Sequence, residues 1–255
     1  MPAQFNKPMS EIIPNSVLEA VRPLYVRNRL RKYSQTGSAT LVNWKSHKLV
    51  VTAAHCLNDL DGEELCIACD TGILRLSRFD LLHRTSGEDD DRDDIAVFVV
   101  PEAMLKHFPD DHFIPDWRVG RSGYVAGGSA ICACGSPNTR NRKFLEIKNP
   151  PGSHFPKTFA FAGDALPPAD KIFGGVYTPD EHVAWDHQSK VINQKSKAIE
   201  KSGEPRGMSG GPVYSVSRMG RMGPYRFELE AIVIEAVDRT MVGRLVRPIL
   251  ISLNY

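Results

Sequence analysis

The sequence contains no apolar run that approaches the ~20 residues a membrane-spanning helix requires. Its strongest apolar stretches, 49–54, 95–100 and 231–237, are short or interrupted by a polar residue, which is typical of buried strands. No long apolar segment follows Met1, so a secretory signal is not visible either. From these absences we expect a soluble, cytoplasmic protein with no membrane partner.

The chain also lacks a strong charge of either sign. Its 32 Lys and Arg residues nearly balance 30 Asp and Glu residues, which leaves a net charge of +2 over 255 residues. So small a surplus gives no support for an extended anionic partner. We therefore expect no nucleic-acid partner.

Cysteine is scarce and odd in number. An odd count leaves at least one of Cys56, Cys66, Cys69, Cys132 and Cys134 unpaired within the chain, which favours a reducing compartment. Cys66 with Cys69 and Cys132 with Cys134 form two close pairs, and four thiolates can bind structural zinc. The C-x-C spacing on a strand is not typical of zinc, and buried free cysteines are common core residues. Zinc and a disulfide stay open as alternatives, but we expect plain core cysteines and no metal site.

Helical periodicity is scarce, whereas short β-branched or aromatic runs bounded by Gly, Pro, Asn or Asp are frequent. Helices are predicted only at 15–21, capped by Asn15 or Ser16, at 190–201 and at 247–253. Many short strands with few helices indicate all-β barrels or sandwiches. The candidate strands are 40–43, 48–53, 73–78, 95–100, 129–134, 213–216, 227–235 and 243–246.

The segment GMSGGP at 207–212 is the first candidate for chemistry. Small residues let Ser209 project its hydroxyl from a tight turn, and the backbone N–H groups of Gly207 and Ser209 can then converge on one point. Such a pair can stabilise the oxyanion of a tetrahedral acyl intermediate. The alternative interpretation is a Gly-rich turn with an exposed serine.

Two further segments could serve that serine. His55 lies in TAAHC at 52–56, directly after an apolar strand, although a lone histidine is more often a packed core residue. Asp94 abuts the apolar run that starts at Ile95, where a carboxylate can be buried and hydrogen-bonded to a histidine. The acidic run 88–94 is also typical of a solvated loop, and strand alternation favours Asp94 over Asp93.

Chain order discriminates between triads for Ser209. The G-x-S-x-G elbow of α/β-hydrolases needs a histidine after the serine, and the last histidine here is His187. The subtilisin order needs an aspartate before the histidine, and the first aspartate is Asp59. Only His, then Asp, then Ser is compatible with this chain.

In their order and spacing, TAAHC, DIAV and GMSGGP resemble the motifs of the chymotrypsin-like (trypsin-like) serine peptidases. The resemblance implies an all-β fold of two packed six-stranded antiparallel β-barrels with few short helices. It implies an N-terminal extension at 1–20, a first barrel at 21–118 that carries His55 and Asp94, and a second at 119–255 that carries Ser209 and the oxyanion loop.

The resemblance also implies an activity. The chain would be a serine endopeptidase that cuts protein or peptide substrates through an acyl-enzyme and needs no cofactor. His55 would act as general base and then acid, Asp94 would orient it, Ser209 would attack, and Gly207 and Ser209 would form the oxyanion hole. The alternatives are a catalytically silent trypsin-like fold that acts as a binding or scaffold module, and an esterase with the same triad.

The chain departs from the family pattern at two positions. Secreted members commonly have an aspartate before the nucleophile, which binds a freed N-terminus, but Met208 stands here. The cysteine after the catalytic histidine often pairs with an earlier one, and Cys56 has no cysteine before it. We therefore expect a peptidase closer to bacterial intracellular members, active as made or controlled by loop ordering or a regulatory partner protein.

Specificity is less constrained. By resemblance, the S1 pocket is expected to be lined by residues just before the nucleophile, including Gly203, Glu204 and Arg206, and by a later strand. That strand contributes Ile234, Glu235 and Ala236. Glu204 or Glu235 would favour Lys or Arg at P1 if it faced the pocket, and the alternative is that both carboxylates face solvent.

Overall fold

Two curled antiparallel sheets make up most of the described chain, as the many short strands predicted. The computed structural model describes residues 13–58, 60, 62–85, 94–121, 125–127, 129–138, 146–147, 158–167, 178, 180–186, 190–192, 199–201, 205–219, 223–237 and 240–253. The fold class expected from the sequence is therefore confirmed: the protein is mainly β, with few short helices.

The strands of the first sheet are β1 (Val21–Arg27), β2 (Tyr33–Trp44), β3 (His47–Thr52), β4 (Glu64–Cys69), β5 (Gly72–Arg75), β6 (Asp80–Arg84), β7 (Ala96–Val99), β8 (Ile114–Pro115) and β10 (Glu146–Ile147). Within the described residues, seven of them form the main path of the sheet, in the order β5-β4-β1-β2-β3-β7-β6. The two short strands also pair with β2, β8 in parallel and β10 in antiparallel orientation.

The strands of the second sheet are β9 (Ala130–Gly135), β11 (Phe159–Asp164), β12 (His182–Asp186), β15 (Pro212–Arg218), β16 (Tyr225–Val237) and β17 (Thr240–Leu245). They run in the order β11-β9-β15-β16-β17-β12. The chain enters this sheet after β8, where Val119 forms a bridge with Leu229 of β16. A separate hairpin is formed by β13 (Lys190–Ile192) and β14 (Ile199–Lys201).

That hairpin corrects the helix predicted at 190–201. The segment pairs with itself in antiparallel register because its ends carry the β-branched residues Val191, Ile192 and Ile199, which favour strands. The described helices are α1 (Asn15–Glu19), α2 (Glu102–Leu105) and α3 (Val246–Ser252). The two terminal helices were predicted, but neither Asn15 nor Ser16 caps α1, because Pro14 precedes its first turn.

Among the described residues, strand alternation sorts the buried apolar side chains into four clusters, of which three are large. On β2, Leu41 faces the interior of the first sheet, whereas its neighbour Val42 belongs to a cluster that joins the two sheets. On β9, Ile131 faces the interior of the second sheet and Cys132 faces the shared cluster. Successive strand residues point to opposite faces, so each strand contributes to both layers. Each fully buried Leu, Ile or Val stabilises this packing by about 1.5–3 kcal/mol.

The five cysteines are free and buried. The Sγ atoms of Cys132 and Cys134 lie 3.8 Å apart in the cluster that joins the sheets. A hydrogen bond with the Cys132 thiol, together with burial, raises the pKa of Cys134, and the side chain packs as a core residue. In the described parts of the chain, no group of three or more potential ligands could hold a metal ion, and no helix is long and apolar enough to cross a bilayer.

Candidate active site

His55 and Asp94 are brought together by the pairing of two strands. β3 ends at Thr52, and a short 3-10 helix at Ala54–Leu57 then turns His55 out of the sheet. Asp94 precedes β7, whose Ala96 pairs with Thr52. The end of one strand and the start of the next therefore lie side by side, and the backbone N–H of Ala54 donates to the carbonyl of Asp94 at 3.2 Å.

The carboxylate of Asp94 holds His55 at two points. Its Oδ2 lies 2.5 Å from Nδ1 of the imidazole, and its Oδ1 accepts the backbone N–H of His55 at 2.6 Å. The Asp94 side chain is 13% exposed, whereas that of His55 is 45% exposed. The carboxylate is thus mostly shielded while the far edge of the ring can meet a substrate. A hydrogen bond at Nδ1 leaves Nε2 available as the reactive nitrogen.

This environment changes the basicity of the imidazole. Burial opposes protonation, but the hydrogen bonds and charges of Asp94 and Cys56 outweigh it and raise the pKa of His55 to about 10. The ordinary value is about 6.5. The imidazole therefore keeps its proton to a higher pH than a free histidine does, and it becomes a base as the pH rises.

Ser209 lies in a tight turn between 205 and 211. The N–H of Met208 donates to the carbonyl of Pro205 at 2.9 Å, and the N–H of Gly211 donates to that of Met208 at 2.8 Å. Gly207 and Gly210 have φ values of +90° and +88°, which L side chains rarely adopt. The glycines on either side of Ser209 are thus required by the turn itself.

The turn is attached to β2 of the first sheet. The N–H of Ser38 donates to the carbonyl of Ser209 at 2.7 Å, and the Ser38 hydroxyl donates to that of Gly207 at 2.7 Å. The hydroxyl of Thr40 donates to the carbonyl of Gly210 at 2.9 Å. Each donor belongs to the sheet that carries His55, while the acceptors belong to the segment leading into the second sheet. These bonds join the two halves at the candidate nucleophile.

The contacts of Gly37 show that the segments carrying His55 and Ser209 lie close together. A Cβ added to Gly37 would lie 2.8 Å from Sγ of Cys56 and 3.0 Å from the carbonyl oxygen of Ser209. Cys56, which follows His55, and Ser209 therefore lie on either side of Gly37. Among the described residues, no hydrogen bond joins the His55 ring to the Ser209 hydroxyl. Such bonds are often long in unliganded sites and tighten with substrate.

Two backbone donors of the turn are available for an oxyanion. The N–H groups of Met208, Gly210 and Gly211 have carbonyl acceptors. Within the part of the chain that the structure describes, none is found for the N–H of Gly207 or Ser209. These are the two donors that the sequence assigned to the oxyanion hole. Free N–H groups two residues apart on a tight turn can converge on one oxygen.

Met208 does not replace the function of an aspartate but packs as a core residue. Its side chain is buried in the cluster of the second sheet, together with Trp185 and Val213. A Cβ on Gly135 would lie 2.8 Å from its Sδ, so β9 passes directly over it. The turn is anchored here by apolar packing, which needs no freed N-terminal ammonium group.

The residues predicted for the S1 pocket have mixed environments. Ile234 is buried in the cluster that joins the sheets, while Glu235 and Ala236 are exposed just beyond a β-bulge in β16. Arg206 is exposed, and its carbonyl accepts the N–H of Asn138 at 2.7 Å. Gly203 and Glu204 lie outside the described residues.

Several polar residues near the turn were missed by sequence reasoning. Each of these residues makes a hydrogen bond that spans more than 100 positions of sequence, to the turn or to a neighbouring segment. They are Gln35, Ser38, Thr40 and Asn138. None lies in a recognisable motif. The one available signal was the run of small and polar residues at 34–40 inside a strand.

Comparisons with known proteins establish no family for this chain. No family model matches the chain, and no curated protein does. A solved structure from work on the coupled folding and binding of the intrinsically disordered Sesbania mosaic virus VPg protein is similar at 12% identity and a TM-score of 0.49. The match covers 93% of this chain and 89% of the other. At that level the likeness carries no argument about activity, and two curled antiparallel sheets fit a chymotrypsin-like fold in general.

Proposed function

We propose that this chain is a trypsin-like serine endopeptidase that hydrolyses peptide bonds in proteins through an acyl-enzyme. The observation that carries the proposal is the two-point hold of Asp94 on His55, in a fold that attaches the Ser209 turn to the same sheet. In this proposal His55 removes the Ser209 proton and later returns a proton to the leaving amine. Asp94 keeps the reactive Nε2 facing the substrate.

The oxyanion is assigned to the N–H groups of Gly207 and Ser209. Both lack an acceptor among the described residues, whereas the adjacent N–H groups of the turn are paired. Each donor to a developing oxyanion typically contributes about 2.7–4 kcal/mol of barrier reduction. The reaction assigned to these residues requires only the side chains and backbone donors named here.

The test is a peptide-library digest by wild type and the Ser209→Ala variant, read by mass spectrometry. Wild type is expected to produce defined internal cuts. Removing the nucleophile of a triad lowers kcat by about 10⁶-fold, so the variant is expected to fall to background. Ser217→Ala is the matched control, because Ser217 is an exposed serine on β15 outside the turn. Cuts that persist in Ser209→Ala would contradict the proposal.

A second candidate function is a silent fold that binds partners. The observation that favours it is the absence, among the described residues, of a hydrogen bond between His55 and Ser209, together with the raised pKa of His55. A silent module gives no cuts with wild type at any pH up to 10, whereas the proposed peptidase cuts faster as the imidazole loses its proton. An esterase would be recognised by turnover of ester substrates without turnover of matched amides.

A further inference from the structure

The peptide unit between Arg206 and Gly207 decides whether the oxyanion hole exists. A trans peptide is planar, and its C=O and N–H point in opposite directions. If the carbonyl of Arg206 is fixed on one side, the N–H of Gly207 must face the other. A rotation of this one unit would remove a donor from the site and put a carbonyl oxygen in its place.

The orientation of this unit is not set within the turn. The Met208–Ser209 unit is fixed locally, because the carbonyl of Met208 accepts the N–H of Gly211 at 2.8 Å. The carbonyl of Arg206 instead accepts the N–H of Asn138 at 2.7 Å, from the segment that follows β9. One oxyanion donor is thus held by the turn and the other by a separate part of the chain.

That separate segment is held in turn by β2 of the first sheet. The side-chain amide of Gln35 donates to the carbonyl of Ser136, and the amide of Asn138 donates to the carbonyl of Gln35 at 3.5 Å. The N–H of Ser136 donates to the Ser38 hydroxyl at 3.0 Å, and that hydroxyl donates to the carbonyl of Gly207. A chain of hydrogen bonds therefore runs from β2 through 136–138 to both sides of Gly207.

The fit around Gly207 is close. A Cβ at this position would lie 2.4 Å from Oδ1 of Asn138 and 2.8 Å from the carbonyl oxygen of Ser136. Gln35 and Ser136 are buried, and Oε1 of Gln35, Oγ of Ser136 and Oδ1 of Asn138 have no partner among the described residues. The close contacts around Gly207 are therefore made by polar groups, which can orient a peptide unit through hydrogen bonds.

We propose that Gln35 is a positioning residue that, through Ser136 and Asn138, holds the Arg206–Gly207 peptide with its N–H facing the oxyanion. This inference rests on the proposed peptidase function and deepens it. Met208 contributes only apolar packing to the turn, so the first sheet supplies the polar contacts that orient this peptide. Gln35 touches no reacting atom; it acts through the segment at 136–138.

The experiment measures the second-order rate of labelling by a fluorophosphonate, whose phosphoryl oxygen occupies the oxyanion position. Gln35→Leu keeps the bulk and removes the donor to Ser136. The rate is expected to fall by about tenfold or more, toward the 10²–10³-fold loss that follows removal of one oxyanion donor. Tyr214→Phe is the matched control: it removes a buried hydrogen bond from the Tyr214 hydroxyl to the carbonyl of Val17, and the labelling rate is expected to stay at the wild-type value.

Gln35→Glu separates positioning from packing. A protonated carboxyl can donate to the Ser136 carbonyl as the amide does, whereas the ionised form cannot and repels it. The ratio of the variant rate to the wild-type rate is therefore expected to fall as the pH rises through the titration of the new carboxyl. Because a protonated Glu keeps the bulk and the donor of Gln, this variant is expected to fold at low pH even where Gln35→Leu does not.

The outcomes are distinguishable. The positioning role alone would be overturned if wild type and Gln35→Leu were labelled at the same rate. It would also be overturned if the ratio of the Gln35→Glu rate to the wild-type rate did not change with pH. Wild type that takes up no label at any pH would overturn the proposed function itself.

Discussion

Replacing Asp94 by Asn changes one charge and no volume, and it probes the strongest contact of the candidate site. The carboxylate accepts two hydrogen bonds from His55, at 2.5 Å from Nδ1 and 2.6 Å from the backbone N–H. An amide has one acceptor oxygen. If that oxygen keeps the backbone N–H, the NH₂ group faces Nδ1, and the ring must move its proton to Nε2, where it can no longer accept one from Ser209.

Two effects of opposite sign follow. Loss of the productive tautomer costs about 10⁴-fold in rate in triads of this kind. Loss of the Asp94 charge also lowers the pKa of His55 from about 10, because burial opposes protonation and the contribution of Cys56 alone then stands against it. The raised pKa leaves only a small fraction of wild-type molecules with a neutral imidazole at pH 7. The variant has the larger neutral fraction at that pH, so its defect is partly hidden.

The expected result is a defect that grows with pH. Between pH 7 and pH 10 the wild-type rate rises by roughly several hundredfold as His55 loses its proton, while the variant rate stays nearly flat. The assay is the rate of fluorophosphonate labelling, followed by intact-protein mass spectrometry across this range. Asp80→Asn is the control, since Asp80 is an exposed aspartate at the start of β6. It is expected to follow wild type at every pH.

A ratio of wild-type to Asp94→Asn rates that does not change between pH 7 and pH 10 would refute this reasoning. It would mean that Asp94 does not hold the proton on His55. A wild-type rate that reaches its plateau below pH 7 would refute the raised pKa.

Three further predictions concern stability and geometry. Gly210→Ala is expected to lower the free energy of unfolding by at least about 2 kcal/mol in urea denaturation, because φ is +88° and a Cβ would lie 1.9 Å from the Ser38 carbonyl oxygen; unchanged stability would contradict the turn geometry. Gly37→Cys is expected to form a disulfide with Cys56, because a Cβ at position 37 would lie 2.8 Å from Sγ of Cys56. The bond is expected to add about 3 kcal/mol to the free energy of unfolding, and a reductant should remove that gain. Two free thiols that persist under oxidant would contradict the contact. The raised pKa of His55 contributes stability to the folded state that is fully present below about pH 6.5 and is lost as the pH rises through about 10. The Tm difference between wild type and His55→Gln is therefore expected to shrink over that range. A Tm difference that stays constant would contradict this prediction.

Local patterns made part of this site predictable. TAAHC contains the end of a buried strand and DIAV the start of another, and each places one ionisable residue beside that strand. The turn at 207–212 could be predicted because its glycines are required by backbone conformation, as the positive φ values of Gly207 and Gly210 show. Properties that depend on a few adjacent residues are readable from one sequence.

The rest depends on contacts between distant segments. Gln35 and Ser136 are 101 positions apart, and Ser38 and Gly207 are 169 apart. No local pattern encodes such a pair. The helix expected at 190–201 was wrong for a related reason: its lysines and alanine are good helix formers, and the antiparallel pairing of Val191 with Glu200 overrides that propensity.

The central claim is that Ser209 is a nucleophile activated by its surroundings. The most direct measurement is to treat wild type with a fluorophosphonate at pH 9 and locate the modified residue by tandem mass spectrometry. A single adduct is expected on Ser209, and it is expected to disappear when His55 is replaced by Ala. An unmodified Ser209, or an adduct whose yield does not depend on His55, would contradict it.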